Sequence, residues 1–234
     1  MMDIINFGSK QIFFHIQYSN RKSLGITVTP DLKVLVKAPV AASLERVKEK
    51  LYKKAPWIIR QQSFFLSFHP KTPARKFVTG ETHLYLGRQY RLKILKGNTE
   101  SVKLKGQFIE VLTPDKANVK QLVDDWYFQN AKAKFLLFSK PLIQSFLSRH
   151  NVEKANPKLQ TRFMPTRWGS CTAKGKIILN PELVKAPRAC IEYVIIHELC
   201  HLVHHDHTQK FIDLQTKEMP DWEKWKMKLE KLLA

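Results

Sequence analysis

The chain has 234 residues, of which 44% are hydrophobic and 11% aromatic, which is typical of a globular protein and excludes a disordered one. No apolar run reaches the ~18 residues of a membrane-spanning helix, so we expect no membrane partner. The sequence starts Met1-Met2-Asp3, without the basic start and apolar core of a signal peptide. Three cysteines without paired spacing, Cys171, Cys190 and Cys200, then favour a reducing, cytoplasmic location.

The formal net charge of +20 is concentrated in the N-terminal half. Residues 1–116 carry 21 Lys and Arg against 8 Asp and Glu, whereas residues 117–234 carry 19 against 12. A field of this sign attracts polyanions, so nucleic acid is a candidate partner of the N-terminal half. A basic surface that only keeps the protein soluble is the alternative interpretation.

The N-terminal half has the pattern of a β-rich module with two helices. Apolar residues alternate over residues 12–38, which predicts a hairpin or meander. Ser43 is a natural N-cap for a first helix, and Pro56 suits the first turn of a second. Residues 77–112 again alternate and predict two hairpins. We therefore assign residues 1–116 to a basic β-rich module.

The C-terminal half, residues 117–234, has the pattern of a mixed domain. Helical spacing predicts an amphipathic helix over about residues 118–138 that Pro141 interrupts. Residues 158–180 predict strands, and Pro187 marks the start of a further helix. The last two helices begin near Thr208 and Pro220. The whole chain is thus predicted to be α+β.

A five-residue HExxH motif, His197-Glu198-Leu199-Cys200-His201, lies in the helix predicted from Pro187. Residues four apart share one face of a helix, so His197 and His201 can offer two imidazoles to one zinc ion. Glu198 follows the first histidine directly and is positioned to act as general base toward a water on the metal. Cys200 lies on a flank of the helix, which indicates packing rather than ligation.

A catalytic zinc needs a third protein ligand, and His204, His205 and His207 follow the motif. On an unbroken helix, His204 would lie about 10 Å from His197 along the axis, too far to share an ion. If the helix breaks near His204, the chain turns back and brings His207 to the metal. The resulting HExxHxxxxxH spacing is that of metzincins, which carry glycine where this chain has His204. His207 is therefore the predicted third ligand.

Several further segments accompany the motif. They are Arg167-Trp168-Gly169-Ser170-Cys171, Ile178-Leu179-Asn180, Tyr193 to Leu202, and Asp206-His207-Thr208-Gln209-Lys210-Phe211. Outside this core stand Ala55-Pro56-Trp57-Ile58, Gly80-Glu81, Tyr85-Leu86-Gly87 and Met219-Pro220-Asp221-Trp222. In these segments the chain resembles the YgjP-like metallopeptidase family from about Arg21 onward.

The resemblance implies a zincin-like catalytic domain, related to SprT-like and WLM proteases, with one zinc ion per chain. Carried over residue by residue, the ligands are His197, His201 and His207, and Glu198 is the base. Asp206 and Thr208 stand where the family frequently has Asn and Ser. Family members are described both as peptidases and as nucleoside-triphosphate pyrophosphatases acting on UTP.

Three functions follow as hypotheses. The first is a zinc peptidase, whose substrate could add a strand at Leu159–Met164 or Trp168–Thr172. The second is hydrolysis of a nucleotide phosphoanhydride, in which Arg167, Arg162 or a lysine of the basic module neutralises the triphosphate and Trp168 is a further substrate contact. A structural ion pair or hydrogen bond is the alternative role of Arg167. The third is a non-catalytic or nucleic-acid-associated module, in which the basic N-terminal half binds DNA or RNA and the zinc is structural. A protease targeted to nucleic acid through the same half is a variant of this hypothesis.

Overall fold

The computed structural model describes residues 2–29, 31–66, 75–152, 156–165, 167–172 and 174–233. These residues form sheets and helices in alternating blocks, which confirms the predicted mixture of α and β structure. The chain divides into two compact units, Met1–Pro73 and Ala74–Leu233. Each unit has its own apolar core.

The first unit is a four-stranded sheet with one face covered by a helix. Strand order is β1-β2-β4-β3, in which β2 and β4 pair in parallel and the outer pairs are antiparallel. Strand β1 and the parallel pairing were not predicted from the sequence. The elements are β1 (Met2–Phe7), β2 (Lys10–Ser19), β3 (Gly25–Val28), β4 (Val34–Pro39) and helix α1 (Leu44–Leu66). The helix buries Val47, Leu51, Ala55 and Ile58, spaced three or four residues apart, in the core of this unit.

The second unit starts with a sheet of the same design. Its order is β5-β6-β8-β7, again with a parallel central pair, and a long helix again follows it. The two predicted hairpins of residues 77–112 are both present. The elements are β5 (Thr82–Tyr85), β6 (Arg88–Lys96), β7 (Ser101–Lys105), β8 (Phe108–Thr113) and helix α2 (Val119–His150). The four-strand-and-helix arrangement therefore occurs twice, although no internal repeat is evident in the sequence.

The second sheet shares its core with the C-terminal part of the chain. Leu92 and Ile109 from the sheet are buried in one cluster with Phe135 of α2 and Leu199 farther along the chain. The division between units therefore differs from the predicted boundary between residues 116 and 117, which lies inside the second unit. Local patterns could not reveal this, because the sheet's alternation does not say which helix covers it.

Two prolines lie inside helices that continue past them. Pro56 was expected to begin a second helix and Pro141 to interrupt one, but α1 and α2 run through these positions. A proline removes the hydrogen bond to the carbonyl four residues earlier, here that of Tyr52 or Leu137. All four residues are exposed, so the freed carbonyl lies on the solvent side of each helix. Packing on the opposite side holds both helices together.

A three-stranded sheet and three helices complete the second unit. Strand order is β10-β11-β9, with β9 parallel and β10 antiparallel to β11. This makes β10 an edge strand. The elements are β9 (Lys158–Thr161), β10 (Gly169–Cys171), β11 (Lys176–Leu179), α3 (Arg188–Cys200), α4 (Gln209–Glu218) and α5 (Trp222–Leu233). None of the helices within the described ranges has the length and apolarity needed to cross a membrane.

The turn between β5 and β6 fixes the start of α3. The backbone N–H groups of Leu86 and Gly87 donate to the carbonyls of Val184 and Lys185, at 2.8 and 3.0 Å. Gly87 has a φ of +78°, and a Cβ there would lie 2.6 Å from Cγ of Pro187. Only glycine allows both this conformation and this approach. The second sheet thereby holds the residue that precedes α3.

The core of the second unit depends on Phe135, whose side chain is fully buried. We expect Phe135→Ala to lower the free energy of unfolding by about 3–5 kcal/mol, because it leaves a cavity in a packed core. Urea denaturation measures the change. Leu136→Ala is the matched control, since Leu136 is 62% exposed, and we expect a change within about 0.5 kcal/mol. Equal effects of the two substitutions would contradict this packing.

Candidate metal centre

Helix α3 supplies most of the site and is buried on nearly all sides. Its buried apolar residues occupy the whole circumference: Cys190, Ile191, Val194, Ile195, Ile196, Leu199 and Cys200. A helix that is apolar all round belongs in a core, so its position is fixed by packing on every side. The backbone that carries His197 and His201, near the C-terminal end of the helix, is therefore held in place by packing.

The third histidine joins the first two because α3 stops. The helix ends at Cys200, with His201 as its C-cap, and the N–H groups of Val203 and His204 both donate to the Cys200 carbonyl. The chain then turns before α4 begins at Gln209. His204 does not have positive φ, so this turn does not need the glycine of the metzincin pattern.

The turn brings His207 to His197 and His201. One ligand nitrogen from each of the three lies within 4.8 Å of the others, and Nε2 of His207 is 3.1 Å from Nε2 of His197. His204 and His205 are not members of this group. Within the part of the chain that the structure describes, it is the single set of three or more His, Cys, Asp or Glu side chains close enough to share an ion.

Two hydrogen bonds orient the imidazoles on α3. Nδ1 of His197 donates to Oε1 of Gln215 on α4 at 2.7 Å, and Nδ1 of His201 donates to the His204 carbonyl at 3.2 Å. Because both partners are acceptors, Nδ1 carries the proton and Nε2 keeps its lone pair. Gln215 is 1% exposed, so its amide oxygen is shielded from water and bonds to His197 instead.

The ring of Phe211 on α4 packs against all three imidazoles. Its ring centroid lies 5.1 Å from that of His197 and 4.7 Å from those of His201 and His207. Burial lowers the pKa of His197 to about 4 and also lowers the pKa of His201. Both rings are therefore neutral at physiological pH, which is the form that binds a metal ion.

Glu198 lies beside the histidines and is 5% exposed. Burial raises its pKa to about 7, while a hydrogen bond from the Cys171 N–H and the charge of Arg167 act in the opposite direction. The strand β10 passes very close to this carboxylate. A Cβ at Gly169 would lie 2.5 Å from Glu198 Oε1 and 2.8 Å from Cγ1 of Val194. Glycine at this position is what lets β10 and α3 meet around Glu198.

The site opens into a cleft of about 540 Å³. Gly169, Ser170 and Cys171 of β10 line one side, with Arg167 and Trp168 before them. Among the described residues, Arg167 has no carboxylate within ion-pair distance. The remaining lining side chains are Thr172, Tyr193, Val194, His197, Glu198, His201, His205 and His207.

Asn180 holds the segment before β10 in place. Its Nδ2 donates to the carbonyls of Met164 and Arg167, at 2.8 and 3.1 Å, and its Oδ1 accepts from the Glu182 N–H at 3.2 Å. With 5% exposure, the amide is almost fully withdrawn from water. It thus joins the cleft wall to the segment that leads into α3.

All six site residues predicted from the sequence line this one cleft: His197, Glu198, His201, His207, Arg167 and Trp168. Sequence reasoning missed the supporting roles of Gln215, Phe211, Gly169 and Asn180. Phe211, Gly169 and Asn180 stand within segments of the recognised motifs, which is a signal for their importance but not for their roles. Gln215 gave no local signal, because its partner is 18 residues earlier in the chain.

The close approach at Gly169 can be tested directly. We expect Gly169→Ala to lower the free energy of unfolding by about 1–3 kcal/mol, because the added methyl group overlaps Glu198 and Val194 in a packed region. Urea denaturation measures the change. Ser170→Ala, in the same strand, is the control and adds no atoms. A Gly169→Ala protein as stable as the control would contradict the packing described here.

One family model, described as YgjP-like, metallopeptidase domain, matches residues 22–232. Comparison with curated proteins gives no match. The matched segment includes all of α3 and the three histidines that approach one another. A metallopeptidase domain implies a metal ion, and the match supports an enzyme of the hydrolase class. The chain therefore belongs to the YgjP-like metallopeptidase family.

Proposed function

We propose that this protein is a zincin-like, zinc-dependent peptidase in which His197, His201 and His207 hold one zinc ion per chain and Glu198 is the general base. The observation that carries the proposal is the buried Glu198 carboxylate beside three converging imidazoles. A structural zinc is normally closed by four protein ligands, whereas a catalytic one has three. Three histidines opening into a cleft support the catalytic alternative.

The donor set suits zinc. Two imidazole nitrogens at about 2.0–2.1 Å from one tetrahedral ion are about 3.3 Å apart, close to the 3.1 Å between Nε2 of His197 and His207. Nε2 of His197 and His201 is left free by the hydrogen bonds at Nδ1. The group consists of imidazoles and contains no sulfur, which distinguishes it from a thiolate site.

A zinc ion in this position would act as a Lewis acid on a scissile carbonyl and lower the pKa of a water molecule. The protein side of the chemistry belongs to Glu198. Its carboxylate, held by the Cys171 N–H, accepts the proton of the attacking water and returns it to the leaving amine. Gly169 leaves the space that keeps this carboxylate beside the histidines.

The edge strand β10 supports a peptide as substrate. Its residues line the cleft, and among the strands of the described ranges it pairs with β11 alone, so its other edge can add an extended peptide as a further strand. Strand β9, on the opposite edge of the same sheet, does not line the cleft. Of the two segments considered from the sequence, Trp168–Thr172 is therefore the better candidate for binding the peptide backbone.

A second candidate function is hydrolysis of a nucleoside triphosphate such as UTP. The observation in its favour is the Arg167 guanidinium, which lines the cleft and has no carboxylate partner among the described residues. Arg167 could neutralise phosphate, and the neighbouring Trp168 could stack on a base. Both candidates use the same histidines and the same base.

Glu198→Gln tests the base in either reaction. We expect zinc binding to be retained and turnover to fall by about 10²–10⁴-fold, because the amide cannot accept a proton. Turnover is measured on zinc-loaded protein with unfolded polypeptide and UTP in parallel. Glu192→Gln is the matched control, since Glu192 lies on the same helix and pairs with Arg188 outside the cleft.

The two substrates separate the candidate functions. Loss of polypeptide cleavage in Glu198→Gln supports the peptidase, and loss of UMP and diphosphate release supports the alternative. Wild-type turnover by Glu198→Gln on either substrate would contradict the assignment of Glu198 as the general base.

Gln215→Leu tests the support of the first ligand. Loss of the hydrogen bond to His197 Nδ1 frees the imidazole to rotate, so we expect zinc affinity to fall by about 10–100-fold. Competition with a chelating dye measures the affinity. Gln209→Leu is the control, because Gln209 is an exposed residue of α4 that contacts Asp213 instead. Equal affinities of wild type and Gln215→Leu would show that Gln215 does not orient the ligand.

A further inference from the structure

The sheet of the first unit has one face that α1 does not cover, here called the open face. Strand alternation sends Ile12, Phe14 and Ile16 into the core and leaves Phe13, His15 and Gln17 on the open face. Phe13 is 54% exposed. The open face consists of Met2, Ile4, Asn6, Gln11, Phe13, His15, Gln17, Ser19, Gly25, Thr27, Leu35, Lys37 and Pro39.

Two cations lie together at one end of the open face. Lys37 is directly paired with Gly25 across β4 and β3, so both positions point to the same side. A Cβ at Gly25 would lie 3.0–3.3 Å from the guanidinium atoms of Arg21, which places that group over Gly25 on the open face. The Arg21 Nε is buried and has no hydrogen-bond partner in the described part of the chain, so the terminal nitrogens are the part of this group that a phosphate would contact.

None of the strand residues that point to the open face is an Asp or Glu. Residues 1–73 carry twelve Lys and Arg but four Asp and Glu. Asp3 points to the helix side, where it pairs with Lys48 at 2.8 Å. Glu45 and Glu49 belong to α1, and Asp31 lies in the β3–β4 turn. The positive charge of Arg21 and Lys37 is thus not neutralised from the sheet itself.

The equivalent face of the second sheet differs in this respect. There Glu110 of β8 pairs with Lys93 at 3.0 Å and approaches Lys105 at 4.0 Å. Phe108 of that sheet is partly covered by Lys93, whose Nζ lies 5.6 Å from the ring centroid. Two sheets of one topology therefore present a charge-paired face in one case and an open cationic face with a bare aromatic ring in the other.

We propose that the open face of the first unit binds a single strand of nucleic acid. An unpaired base has the flat surface that an exposed phenylalanine on a sheet stacks against, and a strand supplies phosphates for Arg21 and Lys37. Duplex bases are already stacked on one another and are not available to Phe13. The face belongs to the first unit, and the proposal does not rest on the proposed peptidase activity.

The test uses the full chain and a fluorescent 12-nucleotide oligo(dT), with binding measured by anisotropy across a salt series. We expect Phe13→Ala to weaken binding by about 5–100-fold, because one base loses its stacking partner. We expect Arg21→Gln and Lys37→Gln each to make the log–log salt slope shallower by about 0.7. Phe13→Trp should retain binding, because it keeps an aromatic surface.

Matched controls lie on α1. Tyr52 is 52% exposed, against 54% for Phe13, so Tyr52→Ala removes a comparable ring from the helix side, and Lys54→Gln removes a comparable charge. Both should bind as wild type. The proposal is overturned by absence of binding at low salt, by equal affinity for a 12-base-pair duplex, or by a Phe13→Ala protein that binds as wild type. A change of molecular mass in Phe13→Ala by analytical ultracentrifugation would instead identify a self-association face and also overturn it.

Discussion

The proposed zinc site needs three imidazoles close together, but a single helix can supply only two of them. An α-helix repeats a side-chain direction every three or four residues, so a third ligand on the same helix would lie a further turn away. The chain meets this constraint by ending α3 at Cys200 and turning back through His204. The His204 carbonyl that the turn presents also accepts the hydrogen bond of His201. The break in the helix thus brings His207 to the other two histidines and also orients His201.

Three buried polar side chains of the site, Gln215, Asn180 and Glu198, each have a specific partner. Gln215 is paired with His197, Asn180 with two backbone carbonyls, and Glu198 with the Cys171 N–H. An unpaired polar group in such a position would cost about 1–3 kcal/mol, so these contacts specify one arrangement of α3, α4 and β10. The same contacts make the site sensitive to substitutions that do not touch a ligand.

Features that depend on neighbouring residues could be predicted from the sequence, whereas contacts between residues far apart in the chain could not. The HExxH spacing, the start of α3 next to Pro187 and the break before His207 could all be deduced from neighbouring residues. The partners of His197 could not, because Gln215 belongs to another helix. The helix boundaries predicted at Pro56 and Pro141 were wrong. Packing can outweigh the one hydrogen bond that each proline removes on the solvent side. The unit boundary was missed for the same reason, since core membership is a property of the folded chain.

The duplicated four-strand-and-helix arrangement separates two roles. In the second unit, the sheet is tied through Gly87 to the residues that precede α3 and so contributes to the position of the histidines. In the first unit, the equivalent sheet leaves an aromatic and cationic face exposed, which is the proposed nucleic-acid surface. One architecture can therefore serve as a scaffold in one copy and present a binding surface in the other.

In the proposed function, three histidines hold one zinc ion in a catalytic rather than a structural arrangement. X-ray absorption spectroscopy at the zinc edge of the loaded protein measures this coordination. We expect nitrogen and oxygen neighbours alone at about 2.0–2.1 Å, with imidazole scattering from three histidines and one position left for solvent. A sulfur neighbour at about 2.3 Å, which would place a cysteine on the metal, or a fourth imidazole would contradict it.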